Sequence, residues 1–148
     1  MKKICFSFLM LILLFLHIPS QQASGLDFDG RYTFYSTQKI SDQNCSVVKN
    51  GRVFEISCDA AYAKSLRLIL DEVIGESVCF YGDENDFVNI SRSLGNCVFY
   101  GIDGVMVAEG FSSRLGKTVE GKEGDVNFQA AFSEGIITVG TPVILGSF

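Results

Sequence analysis

The sequence predicts an α+β domain that is predominantly antiparallel β, a meander or small barrel-like sheet with one central helix, stapled by two disulfides. Three observations carry this. Turn dipeptides fall between runs of alternating apolar residues, a single stretch repeats apolar residues at helical spacing, and four cysteines follow a segment that has the layout of a removable leader.

The leader comes first because it changes the composition of everything after it. Lys2 and Lys3 precede an apolar run from Ile4 to Ile18, broken by Pro19 and polar residues. That is the layout of a secretory signal peptide, and the run is too short for a comfortable membrane span of about 20 residues. Ala23-Ser24-Gly25 offers small residues at −3 and −1, so cleavage is expected after Gly25, leaving residues 26–148 as one domain. The Met-Lys-Lys opening suits a bacterial export signal, hence a periplasmic or extracellular destination.

Within the mature segment, Gly30 to Thr37 is aromatic and β-branched and reads as a strand. Asn50-Gly51 then predicts a two-residue hairpin loop in which Lys49 opposes Arg52, Val47 opposes Phe54 and Cys45 opposes Ile56. Cys45 and Cys58 then share a face diagonally, favouring a Cys45–Cys58 bridge and, by elimination, Cys79–Cys97. Neither pair has the close spacing of a metal-binding Cys-x-x-Cys.

Asp59 to Gly75 reads as the helix, with Asp59 as N-cap, Gly75 beyond the C-cap, and Tyr62, Leu66, Ile69, Leu70 and Val73 in helical register. Asp86 to Leu94 fits a helix or a strand. Cys97–Ile102 and Val105–Phe111 flank Asp103-Gly104 as a hairpin. Val126 to Ser133 alternates as a half-buried strand, and a Glu134-Gly135 turn places Ile137 opposite Phe132 and Val139 opposite Ala130. Pro142 donates no ladder bond, so the last strand is expected at an edge or to end there.

Charge and residue types bound the function. The full chain has 12 Lys+Arg, 17 Asp+Glu and a net charge of −5; losing Lys2 and Lys3 with the leader takes it to −7. An acidic chain of this kind is poorly suited to a phosphate backbone, so no nucleic-acid partner is expected. The single histidine, His17, lies in the leader. The mature segment therefore lacks the residue that Ser-His-Asp, Cys-His and His-ligated zinc chemistry require.

The remaining motifs are weak. Gly116-Lys117-Thr118 lacks the glycine that a phosphate loop places six residues before its lysine, a position held by Phe111. Asp83-Glu84-Asn85-Asp86 is dense in oxygen ligands but lacks the spacing of an EF-hand, so no metal is expected. Phe148 ends the sequence as in outer-membrane barrels, yet Pro142 and Gly146 interrupt the alternation such a barrel needs. No catalytic residue, metal ligand or cofactor site is assigned.

The reading that follows is a small exported, non-catalytic binding module, of inhibitor or immunity type, for a basic or neutral protein partner. Asp83, Glu84 and Asp86 form its candidate interaction loop. The alternatives are a glycan hydrolase working with two carboxylates, and a carrier of a small apolar ligand whose cavity Tyr32, Phe34, Phe128 and Phe132 would line.

Overall fold

A computed structural model describes residues 25–145. The candidate leader before Gly25, and Phe148, lie outside them. Ten strands and two helices follow in chain order: β1 Arg31–Ser36, β2 Ser46–Asn50, β3 Val53–Asp59, α1 Ala60–Ile69, β4 Val73–Tyr81, α2 Glu84–Leu94, β5 Asn96–Ile102, β6 Val105–Phe111, β7 Val119–Gly121, β8 Gly124–Val126, β9 Phe128–Ser133 and β10 Ile136–Thr141.

Eight strands form one sheet in the order β2-β3-β1-β4-β10-β9-β6-β5, antiparallel throughout, and β7 and β8 make a separate hairpin. The edges β2 and β5 stand at opposite ends of that order, so the sheet is open rather than closed into a barrel. Both helices lie on one face. Ala63 and Leu66 of α1 join Tyr32, Phe34 and Ile56 in the core; Phe87 of α2 stacks on Phe132 at 6.0 Å and meets Phe99 edge-on at 5.9 Å.

Two of the expected hairpins form in the expected register. Asp103 and Gly104 both take positive φ, as do Glu134 and Gly135, and the pairs Ile102↔Val105, Ile137↔Phe132 and Val139↔Ala130 follow. Positive φ at both central residues is the type I′ pattern, whose twist matches the strands it joins. The last strand does end before Pro142, but it is no edge: β10 pairs with both β4 and β9.

In the first hairpin the turn moves one residue along, so every cross-strand partner moves by two and the faces are kept: Lys49 opposes Phe54 and Val47 opposes Ile56. Asn50 pairs with Val53, so the loop is Gly51-Arg52, and only Gly51 has positive φ, the II′ pattern with glycine first. Asn50 stays in the strand and its side-chain amide donates to Glu55. Continuing the ladder one step past Ser46↔Ser57 sets Cys45 directly opposite Cys58 rather than diagonal to it.

The helical segment also departs from expectation. Among the described residues there are two helices, and α1 stops at Ile69, where the expected helix ran on to Gly75. Leu70 folds inward and closes the last turn through its N–H to the Leu66 carbonyl at 3.1 Å. Beyond Asp71 and Glu72, Val73 and Ile74 are β-branched and Gly75 is a poor helix former, so the chain gains more by entering β4, paired on both sides. The ambiguous segment after Asp83 is helix α2. Asp83 accepts from the Asp86 N–H at 2.9 Å and Asp86 accepts from the Asp83 N–H at 3.1 Å, a reciprocal capping box.

Candidate functional site

The helices leave the other face of the sheet without a helical layer. Alternation along each strand decides what appears there. Cross-strand pairing aligns Ser46, Ser57, Thr33, Ser77, Gly140, Gln129, Glu109 and Val98 in one row, with Arg31, Cys79, Thr138, Ala131, Val107 and Tyr100 in the next. These are mostly small side chains, so the face has low relief. Thr33 and Ser57 hydroxyls bond at 3.1 Å, and Cys79 Sγ lies 3.4 Å from Thr138 Oγ1.

Part of this face is roofed by the chain itself. The segment after Thr141 crosses Gly75 and Gly140, whose missing Cβ atoms would collide with Thr141, Val143 and Ile144, and the Ile144 N–H donates to Gln129 at 3.3 Å. On the other side, Lys122 of the β7–β8 turn sits 4.6 Å over the Tyr100 ring, while Glu109 accepts from Gln129 at 2.8 Å. Burial, then the neighbouring Glu109 carboxylate, pushes the Tyr100 hydroxyl up to about 12. Besides Ser46 and Val48 at the β2 edge, what stays open is the stretch around Arg31, Cys79, Tyr81 and Ile136, with Tyr81 90% exposed.

The acidic residues of the candidate interaction loop adjoin that stretch. Tyr81 ends β4, and Asp83, Glu84 and Asp86, all exposed, begin α2 just after it. Two of them serve the helix as its cap; Glu84 alone has no capping bond among them. Among the described residues no three His, Cys, Asp or Glu gather where they could hold a metal ion.

The four cysteines among the described residues carry free thiols. Cys45 and Cys58 face one another, and burial, then the adjacent Cys45, pushes the Cys58 thiol up to about 11. The expected Cys79–Cys97 bridge is incompatible with the topology. β10, β9 and β6 lie between their strands, about 19 Å along the sheet at about 4.8 Å per strand, against the 4.4–6.8 Å between Cα atoms of a disulfide. They also face opposite ways, Cys97 toward the helices and Cys79 away from them.

The clefts are shallow. One of about 530 Å³ is lined by Val73, Ile74, Val119, Pro142 and Leu145, with Asp71 and Glu72 at its rim. Tyr32, Phe34 and Phe128 are buried in the core under the helices, and Phe132 packs against it.

No family model, curated protein or solved structure matches this chain.

One further constellation escaped sequence reasoning. Arg67 of α1 makes a bidentate pair with Glu76 of β4, Nε to Oε2 at 2.7 Å and Nη2 to Oε1 at 2.9 Å. Both side chains are nearly buried, at 10% and 6% exposure. The guanidinium lies over the Tyr32 and Phe34 rings at 5.3 and 5.7 Å. Burial alone would lower the Arg67 pKa, but the hydrogen bonds and charge of Glu76 outweigh it and raise it. The pair grips the start of the described chain. Leu26 N–H donates to Glu76 Oε1 at 2.6 Å, and Leu26 carbonyl accepts from Arg67 Nη2 at 2.5 Å. The Tyr32 hydroxyl accepts from Phe28 N–H at 2.9 Å and donates between the Leu26 and Phe28 carbonyls. The only sequence signal was a glutamate in phase with Val78 and Phe80, visible once β4 is recognised as a strand.

Proposed function

We propose that the protein is a small exported binding module that acts through the open stretch of its sheet and has a basic or neutral protein as partner. The observation that carries this is the low-relief face left bare by the helices, with Tyr81 and Ile136 exposed on it and the acids of the α2 start at its rim. An exposed aromatic inside a flat apolar and hydroxyl surface is the kind of anchor on which interface energy concentrates. Net negative charge speeds encounter with a basic surface without adding buried ion pairs. Among the described residues no helix is long and apolar enough to cross a membrane.

The test uses the mature protein and a partner captured on it from the exporting compartment. Tyr81→Asp is expected to weaken binding at least about 30-fold, the scale of a hot spot worth 2 kcal/mol. Glu84→Gln should chiefly slow association and flatten its salt dependence, because exposed charges are screened over about 8 Å. Asp83 and Asp86 are poor test positions, since changing them also removes the cap of α2. An acidic partner, or Tyr81→Asp with full affinity, would overturn the reading. Turnover of a glycan, abolished by a single carboxylate substitution, would establish the hydrolase instead.

An oxidising compartment would close one staple, Cys45–Cys58, across the first hairpin, and leave Cys79 and Cys97 reduced. Alkylation of exported protein without prior reduction should therefore label Cys79 and Cys97 and spare the other two. Label on Cys45 and Cys58 would remove the staple.

A further inference from the structure

We propose that the Arg67–Glu76 pair is the receptor for the amino terminus created when the leader is cut after Gly25, so that the new Leu26 ammonium locks the mature fold. This rests on the export reading above, and adds to it a processing site and the place where its product binds.

The geometry is specific to one residue. The Leu26 nitrogen, not a neighbour's, lies 2.6 Å from Glu76 Oε1, and Leu26 is 1% exposed. Its carbonyl is held by Arg67, so both ends of this residue are fixed by one buried ion pair. Gly25 fits only because it lacks a side chain. A methyl there would strike the Arg67 guanidinium and the Glu76 carboxylate. The chain thus carries glycine at the one position where the uncut precursor must pass over the pair.

Hydrolysis of the Gly25–Leu26 bond by a leader-removing peptidase consumes one water, leaving a carboxylate on the departing Gly25 and an ammonium on Leu26. The neutral amide donor at Glu76 becomes a charged one, and a charge-assisted hydrogen bond is roughly twice as strong as a neutral one. Glu76 then lies between two cations, Arg67 and the ammonium. Asp27 and Asp29 line the adjoining cleft with Lys64, and Lys64 pairs with Asp27 at 3.4 Å. Capture of a terminal amine by a fixed polar nest is an established recognition mode. Because Leu26 is buried when docked, the peptidase reaches the bond while this residue is undocked, and the cut then strengthens a contact that the uncut chain makes through its neutral amide.

The first measurement is the amino-terminal sequence of the exported protein, with Leu26 expected. An exported protein still beginning at Met1 would defeat removal of the leader, and the amine receptor with it; failure to recover the protein outside the cytoplasm would defeat the export reading itself. A cut at any other bond would leave export standing and overturn only the amine receptor. The second measurement compares two mature chains, one beginning at Leu26 and one at Gly25. The Leu26 chain should melt about 5 °C higher, and its amine should react with an acylating reagent at least about tenfold more slowly folded than unfolded. Glu76→Gln in both chains should erase the difference in melting temperature. Equal melting temperatures for the two unsubstituted chains, or an amine as reactive folded as unfolded, would overturn the proposal even if the Gln variant fails to fold.

Discussion

Arg67→Ala is expected to destabilise the fold by about 3–5 kcal/mol, the range for removing one partner of a buried ion pair. The cost arises from what is left behind. Glu76 would be left at 6% exposure with the Leu26 N–H as its remaining close donor, and the Tyr32 and Phe34 rings would lose the cation stacked on them. Arg67→Lys should recover only part of the loss, because an ammonium cannot reproduce the two parallel bonds to Glu76. The double variant Arg67→Leu with Glu76→Leu separates charge from packing: replacing both partners by apolar groups is often neutral. Urea unfolding measures all three. Arg67→Ala within about 1 kcal/mol of the parent would mean that water reaches Glu76 and that the grip on Leu26 is loose.

That pair also shows where sequence reasoning stops. The hairpins at Asp103-Gly104 and Glu134-Gly135 were legible because turn chemistry is local and the flanking alternation fixes the face each side chain takes. At Asn50-Gly51 the same signal found the hairpin but set its loop one residue early, so the cross-strand partners are off by two, since glycine alone supplies the positive φ that a II′ loop needs. β4 was hidden for the opposite reason. Its first residues, Val73 to Gly75, continue the apolar spacing of α1, and only pairing with β1 and β10 makes it a strand. Once β4 is misread, Glu76 has no face, and its meeting with Arg67 nine residues away cannot be foreseen. The open sheet face was equally out of reach, because it depends on both helices choosing the same side.

Asn127 carries the second large effect, and alternation misplaces it. Between Val126 and Phe128 it reads as an outward polar residue, yet it is 0% exposed. Its side chain accepts from the Ser112 N–H at 2.7 Å and donates to the Ser112 and Leu115 carbonyls at 2.8 and 2.9 Å. Its own backbone bonds to Gly110, and its carbonyl accepts from Thr141 at 2.8 Å. One amide thus closes the turn that leads from β6 toward the β7–β8 hairpin. Asn127→Ala would orphan the Ser112 N–H and the Leu115 carbonyl at about 1–3 kcal/mol each, while the Ser112 carbonyl keeps the Leu115 N–H at 3.2 Å, so a loss of about 2 kcal/mol or more is expected. Asn127→Asp should be no better, since a carboxylate keeps the bond from Ser112 N–H but faces the two carbonyls with no donor. Hydrogen exchange places the effect: the Ser112 and Leu115 amides should open with the residues of β7 and β8, while Tyr32 and Phe34 amides in β1 keep their relative protection. Release of that hairpin also withdraws Lys122 from Tyr100, so the roofed part of the sheet face should become accessible in the same variant. Unchanged exchange at Ser112 and Leu115 would show that the loop is held by its own backbone and that Asn127 merely fills space.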